Sequence, residues 1–137
     1  MPPLDADGLW ARLAQDDARQ AYQRALETAT EQLKANPKDP VVLSGIALYH
    51  AHLGDKQEAE EFIGRALEVA PNDSDTLFTS ALVYEIIGNR DKALTELAQA
   101  NKAGYSLEEI EKEPELKKLQ GDPRYGQWIA EVRKGKH

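Results

Sequence analysis

Two consecutive stretches of the chain repeat one pattern, and that pattern decides the fold. Residues 40–73, PVVLSGIALYHAHLGDKQEAEEFIGRALEVAPND, align without a gap over residues 74–107, SDTLFTSALVYEIIGNRDKALTELAQANKAGYSL. Gly54 and Gly88 fall at the same place in the two stretches, 34 residues apart. A fixed period of this length indicates a repeat protein in which each repeat is one small helical unit.

Each repeat contains two segments with the apolar periodicity of a helix. Apolar and small side chains recur at i, i+3, i+4 and i+7, which places them on one helical face. In the first segment of residues 40–73 these are Leu43, Ile46, Ala47 and His50, and in the second they are Ala59, Phe62, Ile63, Ala66 and Leu67. The sequence therefore predicts two amphipathic helices per repeat.

Capping residues mark where these helices begin and end. Asp39 is the predicted N-cap of a helix whose first residue is Pro40. Gly54 is the predicted C-terminal stop, because a left-handed residue at that place favours glycine. Asp55, with Glu58 three residues later, is a predicted capping box for the next helix. The second repeat carries the corresponding residues Ser74, Gly88 and Asn89.

The repeated pattern resembles the tetratricopeptide repeat (TPR) family. That pattern has apolar and small residues and an aromatic in the first helix, two alanines flanking an aliphatic residue in the second, and a closing proline. One copy matches it at Leu43, Ile46, Ala47, His50, Ala59, Ile63, Ala66 and Pro71, and the next at Leu77, Ser80, Ala81, Tyr84, Ala93, Leu97 and Ala100. Three residues depart from the family pattern: His50 replaces the aromatic, Ser80 replaces an apolar residue, and Tyr105 stands at the place of the second closing proline.

The resemblance implies an all-α fold of helix-turn-helix repeats stacked as a right-handed superhelical solenoid. We expect one domain over 1–137, with TPR units at 40–73 and 74–107 and C-terminal capping helices at 108–134. Residues 5–39 form a weaker copy, in which Gln20 stands at the place of the repeat glycines. End repeats cap a solenoid and are often atypical. Whether residues 5–36 form one helix or two is left open.

The stretch after the repeats has a separate family likeness. Ser106 with Glu109 is a capping box, and Gly121–Asp122–Pro123 is read as a stop, a cap and a first helical residue. The segment AGYS…EPELKKLQGDPRYGQWI is similar to one that closes TPR arrays in bacterial signalling proteins such as Ser/Thr kinases and transcriptional regulators. The predicted buried face of the last helix consists of Tyr125, Trp128, Ile129 and Val132.

Composition excludes several classes of function. The 137 residues carry a net charge of −7, whereas a nucleic-acid binder needs a basic footprint. No apolar run approaches the roughly 20 residues that span a membrane. The acidic start, MPPLDADGLW, lacks the pattern of a signal peptide, so we expect a cytoplasmic protein. With no cysteine, thiolate chemistry is excluded.

No motif predicts catalysis, a metal site or a cofactor. His50 and His52 are two residues apart, so on one helix they point about 200° away from each other and cannot chelate one ion. Nowhere does the sequence offer a recognisable set of nucleophile, base and orienting group. We therefore expect a non-catalytic protein whose function lies in a surface.

The TPR resemblance implies where that surface lies. In the family, the first helices of successive repeats line a concave groove that holds a peptide or a partner helix. On this chain the corresponding residues are Val41, Ser44, Gly45, Leu48, Ala51 and His52 of one repeat and Asp75, Phe78, Thr79, Leu82, Glu85 and Ile86 of the next. They lack the Lys, Arg and Asn needed to hold carboxylates, and they suit an amphipathic helix with a basic rim.

Two functions remain open on the sequence. In the first, the chain is an interaction module that binds a protein or peptide in this apolar, acid-rimmed groove. In the second, it is a regulatory or oligomerisation module at the C-terminus of a larger bacterial signalling protein. The groove would then be occupied by its own chain or by a second copy.

Overall fold

The computed structural model describes residues 6–135, which form eight α-helices and one 3₁₀ turn. The predicted ends of the domain, residues 1 and 137, and the predicted start of the N-terminal copy, residue 5, lie outside the described residues. The elements are α1 (Ala6–Ala35), α2 (Pro40–His52), α3 (Lys56–Val69), α4 (Ser74–Ile86), α5 (Arg90–Lys102), α6 (Leu107–Lys112), the 3₁₀ turn (Pro114–Leu116), α7 (Lys117–Gln120) and α8 (Pro123–Lys134).

Two helical pairs, α2 with α3 and α4 with α5, form the centre of the molecule. Gly54 and Gly88 end the first helix of each pair with φ of 85° and 92°. This left-handed backbone lets the amide of the following residue reach back to a carbonyl of the helix, at 2.9 Å for Asp55 and 2.8 Å for Asn89. The two pairs pack side by side through α2 and α4, so the predicted all-α repeat fold is confirmed.

Small side chains set the spacing between the helices. Six alanines of the repeat pattern have no exposed surface: Ala47, Ala59, Ala66, Ala81, Ala93 and Ala100. Between them lie the larger apolar side chains of Leu43, Ile63 and Leu97, each at most 1% exposed. Because interiors are close-packed, this alternation of small and large residues fixes how closely paired helices approach.

Two predicted caps differ from the observed ones. Asp55 precedes α3, but its carboxylate makes no bond to the amides of that helix. Instead, Oδ2 of Asp55 lies 3.1 Å from Nδ1 of His50. Asp73, and not Ser74, caps α4 by accepting a hydrogen bond from the amide of Thr76 at 3.0 Å. Asp39, Asn89, Ser106 and Asp122 cap their helices as predicted.

The N-terminal copy of the repeat is one continuous helix, α1. Gln20 stands inside this helix at the place of the repeat glycines, so no left-handed residue breaks it. Its second half packs against α2 with Tyr22, Ala25, Leu26, Ala29 and Leu33, which are at least partly buried. Side chains 11–21 are all exposed, so the first half of α1 extends beyond this packing.

The C-terminal segment, defined here as residues 105–134, closes the other end. Ile110, Leu116 and Leu119 are fully buried, and Tyr125 and Ile129 of α8 are each 8% exposed. The side-chain amide of Gln120 donates to the carbonyl of Ile110 at 3.0 Å and ties α7 to α6. No helix among residues 6–135 is sufficiently long and apolar to cross a membrane.

Candidate functional site

The candidate site is the groove face, defined here as the side of α2 and α4 that points away from their partners α3 and α5. Seven predicted residues of this face are at least partly accessible: Val41, Leu48, His52, Asp75, Thr79, Glu85 and Ile86. Gly45 is also partly accessible. Val41, the second residue of α2, is 75% exposed.

Four other predicted residues are buried within the chain. Ser44 and Ala51 are 6% and 5% exposed, and Phe78 and Leu82 are each 7% exposed. The hydroxyl of Ser44 donates to the carbonyl of Val41 at 3.2 Å, so its polar group is already used. These four side chains are inaccessible to another molecule in this conformation. Helical spacing places a residue on a face, but it does not tell what covers that face.

The C-terminal segment covers the α4 half of the groove face. The ring of Tyr105 stacks on Phe78 with centroids 4.0 Å apart and planes inclined by 8°. The 3₁₀ turn packs against α4, with Leu116 fully buried. Sequence reasoning named Phe78 and Leu82 as partner-binding residues and left open that the groove is filled by the chain itself, because the repeat pattern says nothing of where residues 108–120 pack.

His52 is where α1, α2 and the C-terminal segment meet. Its ring stacks on that of Tyr22 in α1, with centroids 4.3 Å apart and planes inclined by 4°. Its Nε2 lies 3.4 Å from Oε1 of Glu115 in the 3₁₀ turn. Burial, and then the negative charge of Glu115, raise the pKa of the Tyr22 phenol. The turn therefore crosses from α4 to the C-terminal end of α2.

The two histidines have separate neighbours. His50 stacks on Phe62 of α3 at 5.8 Å, inside the helical pair, while its Nδ1 faces Asp55. His52 contacts Tyr22 and Glu115 instead. Across the residues that the structure describes, no group of three or more His, Asp or Glu side chains is arranged to hold a metal ion.

Three carboxylates act on the phenol of Tyr105, whose ring lies over Phe78. Burial raises the pKa of the Tyr105 phenol, and the charges of Asp75, Glu109 and Glu113 raise it further. Within residues 6–135 these three carboxylates form no ion pair with a Lys, Arg or His side chain. Glu85 differs, because Arg90 donates to its two oxygens at 3.1 and 2.6 Å.

Several residues of this site were missed by sequence reasoning. Tyr22 lies in the degraded N-terminal copy. Tyr105 stands at the place of the closing proline of the second repeat, and Glu109, Glu113 and Glu115 lie beyond that repeat. Acidic residues in a short helix are ordinarily read as a solvated face, so their side chains carried no signal. Only the path of the 3₁₀ turn across the helices brings them to the groove face.

The tyrosines of this region predict a loss of stability in alkali. A phenol with a raised pKa favours the neutral form in the folded chain, so its stabilisation is complete below the ordinary pKa of 10.0 and is lost as the pH rises through the higher folded value. We expect unfolding titrations to show stability falling above pH 10, and falling less steeply in Tyr105→Phe. Identical slopes for the two proteins above pH 10 would contradict this.

Comparison with known proteins agrees with this architecture. A family model described as tetratricopeptide repeat matches residues 12–77, from α1 into α4. A mouse (Mus musculus) protein, "Interferon-induced protein with tetratricopeptide repeats 3", is 27% identical over 98 residues, which are 72% of this chain and 24% of that protein. The chain thus spans a small part of that relative's length. No solved structure matches significantly.

The fold is that of a helical-repeat protein, with two helical pairs stacked side by side. The repeat match and the glycine-ended helical pairs support the assignment of the chain to the tetratricopeptide repeat family. Members of this family generally serve as scaffolds for protein–protein interaction and not as catalysts.

Proposed function

We propose that this chain is a non-catalytic interaction module that holds a peptide or an amphipathic helix of another protein on its groove face. The observation that carries the proposal is the accessible apolar surface of α2, where Val41 is 75% exposed beside the half-buried Leu48. An amphipathic helix that lies in a groove uses such apolar anchors.

Accessibility divides the predicted contact residues into two groups. We propose direct contact with the partner for Val41, Leu48, His52, Asp75, Thr79, Glu85 and Ile86. Ser44, Ala51, Phe78 and Leu82 then act from below, since they hold α2, α4 and the C-terminal segment in place. The carboxylate of Asp75 on the rim favours a partner with basic residues around an apolar anchor.

The arrangement of hydroxyl groups supports a non-catalytic function. Ser80 is fully buried and donates to the carbonyl of Leu77 at 2.8 Å, and Ser44 donates to that of Val41. A nucleophilic hydroxyl needs a base within hydrogen-bonding reach and access to substrate. Ser44 bonds only to the backbone of the preceding helical turn. Ser80 Oγ also lies 3.1 Å from a carboxylate oxygen of Glu96, but with no exposed surface it is out of reach of a substrate.

Replacing Val41 by glutamine tests the proposal. Because burying a valine contributes about 1.5–3 kcal/mol, we expect Val41→Gln to weaken the binding of a partner recovered with the wild-type chain by about tenfold or more. Val69→Gln is the matched control, since Val69 is 43% exposed at the end of α3, away from the groove face. Affinity is measured by titration calorimetry. Equal affinities for the two variants would contradict docking on the groove face.

A second function is favoured by the packing of the C-terminal segment. Phe78 and Leu82 are buried in this chain itself, as expected of a module whose groove is filled by its own residues. The likeness of this segment to the end of TPR arrays in bacterial signalling proteins fits a regulatory or oligomerisation module. Self-association measured by light scattering, and lost in Val41→Gln, would favour this second function over the first.

A further inference from the structure

The accessible part of the groove face is bordered by the C-terminal segment, which lies outside the helical pairs of the repeats. Val41 at the start of α2, Leu48 in the C-terminal half of α2 and Thr79 in the middle of α4 stay at least partly accessible. The 3₁₀ turn covers α4 and reaches His52 at the C-terminal end of α2. We refer to the accessible surface of α2 and α4 as the docking channel, and to the C-terminal segment, which packs on α4, as its wall.

That wall is acidic on the side of the channel. Asp75 of α4 and Glu109 and Glu113 of the C-terminal segment all act on the phenol of Tyr105, which lies over Phe78. Glu115 continues the row to His52, with its side chain 41% exposed. Asp75 lies at the start of α4, and Glu115 lies beside His52 at the end of α2.

Other carboxylates of the same short helix are already neutralised. Glu108 lies 3.6 Å from Nζ of Lys112, and Glu111 accepts from Arg133 of α8 at 2.6 Å. Glu109 and Glu113 form no such pair with the described residues. Glu109 in α6 and Glu113 directly after it are also two of the carboxylates that act on the phenol of Tyr105.

We propose that the C-terminal segment is a wall of the docking channel and that it selects a basic amphipathic segment of a partner protein. The partner's apolar residues lie on Val41 and Leu48, and its Lys or Arg residues face Glu109, Glu113 and Glu115. This inference rests on the proposed function, and it adds the chemical class of the partner and three residues outside the repeats.

The wall is fixed before any partner binds. Ile110 and Leu116, on the two sides of Glu113, are fully buried, and Ser106 caps α6 by accepting from the amide of Glu108 at 3.1 Å. Its carboxylates are thus held in place by the packing of their neighbours. Charges that are already positioned lose less conformational freedom on binding, so they discriminate between partners more effectively.

Cations of this chain lie at the margins of the row. Arg19 lines a recess with Tyr22 and His52 on the outer side of the channel. Lys117 and Lys118 line another beside Glu85 and Ile86, beyond the 3₁₀ turn. The second recess contains Glu115 itself, and the first contains His52, which contacts Glu115. The chain's own cations therefore lie nearest Glu115, and we expect an external cation to be attracted most strongly by Glu109 and Glu113.

The probes for the test are three synthetic amphipathic helices with identical leucine positions and with Lys, Gln or Glu at the flanking positions. Binding to the full chain is measured by calorimetry at low and at high salt. We expect the Lys peptide to bind about tenfold tighter than the Gln peptide, and the Glu peptide more weakly still, because a few partly exposed ion pairs sum to about that factor. High salt should reduce the difference.

Two charge-matched triple variants locate the wall. Glu109→Gln/Glu113→Gln/Glu115→Gln removes three charges from the channel, and glutamine still fits the capping position at residue 109. The control, Glu60→Gln/Glu61→Gln/Glu68→Gln, removes three charges from exposed positions on α3. We expect the wall variant to bind the Lys peptide only as tightly as wild type binds the Gln peptide, and the control to bind it as wild type does.

The outcomes separate this inference from the proposed function. Equal weakening by the two triple variants, no preference for the Lys peptide, or no binding of the Lys peptide would overturn the acidic wall. If the wall variant binds normally while Val41→Gln does not, the groove face is the docking site and the wall is not part of it. If Val41→Gln also leaves binding unchanged, the proposed function itself fails.

Discussion

Replacing Leu116 by alanine should lower the free energy of unfolding by about 2–5 kcal/mol, the range for removing a buried leucine side chain. Leu116 is fully buried in the 3₁₀ turn that packs on α4. The cavity would lie beneath the segment that covers Phe78 and Leu82. Since small proteins are stable by only about 5–15 kcal/mol, the loss is a large fraction of the total. Urea unfolding monitored by circular dichroism measures it.

Lys117→Ala is the control for this prediction, because Lys117 is the next residue and is exposed. Its unfolding midpoint should stay close to that of wild type. A midpoint for Leu116→Ala equal to that of Lys117→Ala would mean that the C-terminal segment is a loosely held cover. The expected result would show that the C-terminal segment is part of the core. A partner could then displace the segment only at a large cost in folding free energy.

Replacing Ile63 by alanine should have a comparable effect of about 2–5 kcal/mol, for a different reason. Ile63 has no exposed surface and lies on α3 between Ala59 and Ala66, which are equally buried. The two alanines bring the paired helices close together, and Ile63 fills the space that remains. The backbone of a helix cannot collapse into the resulting cavity without losing these alanine contacts. The expected signature is a lower urea midpoint at an unchanged slope.

The matched control is Glu61→Ala, an exposed position on the same helix. Alanine favours helix formation, so this variant should be within a few tenths of a kcal/mol of wild type or slightly more stable. A loss below about 1 kcal/mol for Ile63→Ala would show that the α2–α3 pair rearranges to fill the cavity. The rigid spacing inferred from the buried alanines would then be wrong.

The repeats were predictable because their information is local. Leu43, Ile63 and Ala81 each belong to a set of apolar and small residues at helical spacing within one helix. Gly54 and Gly88 supply the backbone conformation that ends a helix. Each of these signals lies within one repeat of the residue that it positions. The two wrong cap predictions have local causes as well. Asp73 and Ser74 are adjacent and both suit an N-cap, and the carboxylate of Asp55 contacts His50 instead of the amides of α3.

The groove face was only partly predictable. Spacing places Val41 and Leu48 on the same side of α2, and the structure keeps both accessible. The same spacing places Phe78 and Leu82 on the corresponding side of α4, where Tyr105 and the 3₁₀ turn bury them. Whether these residues contact a partner stays a prediction, and its tests are the variants described above.

By itself the sequence determined the helical pairs, the glycine-ended turns and the buried alanines, because periodicity and backbone propensity act within a few residues. Only the tertiary structure decided that α1 continues past the packing on α2, that residues 105–120 cover α4, and that Glu115 meets His52. These features depend on contacts between residues far apart in the chain. Such contacts arise from how the helices fill space, and no local pattern records them.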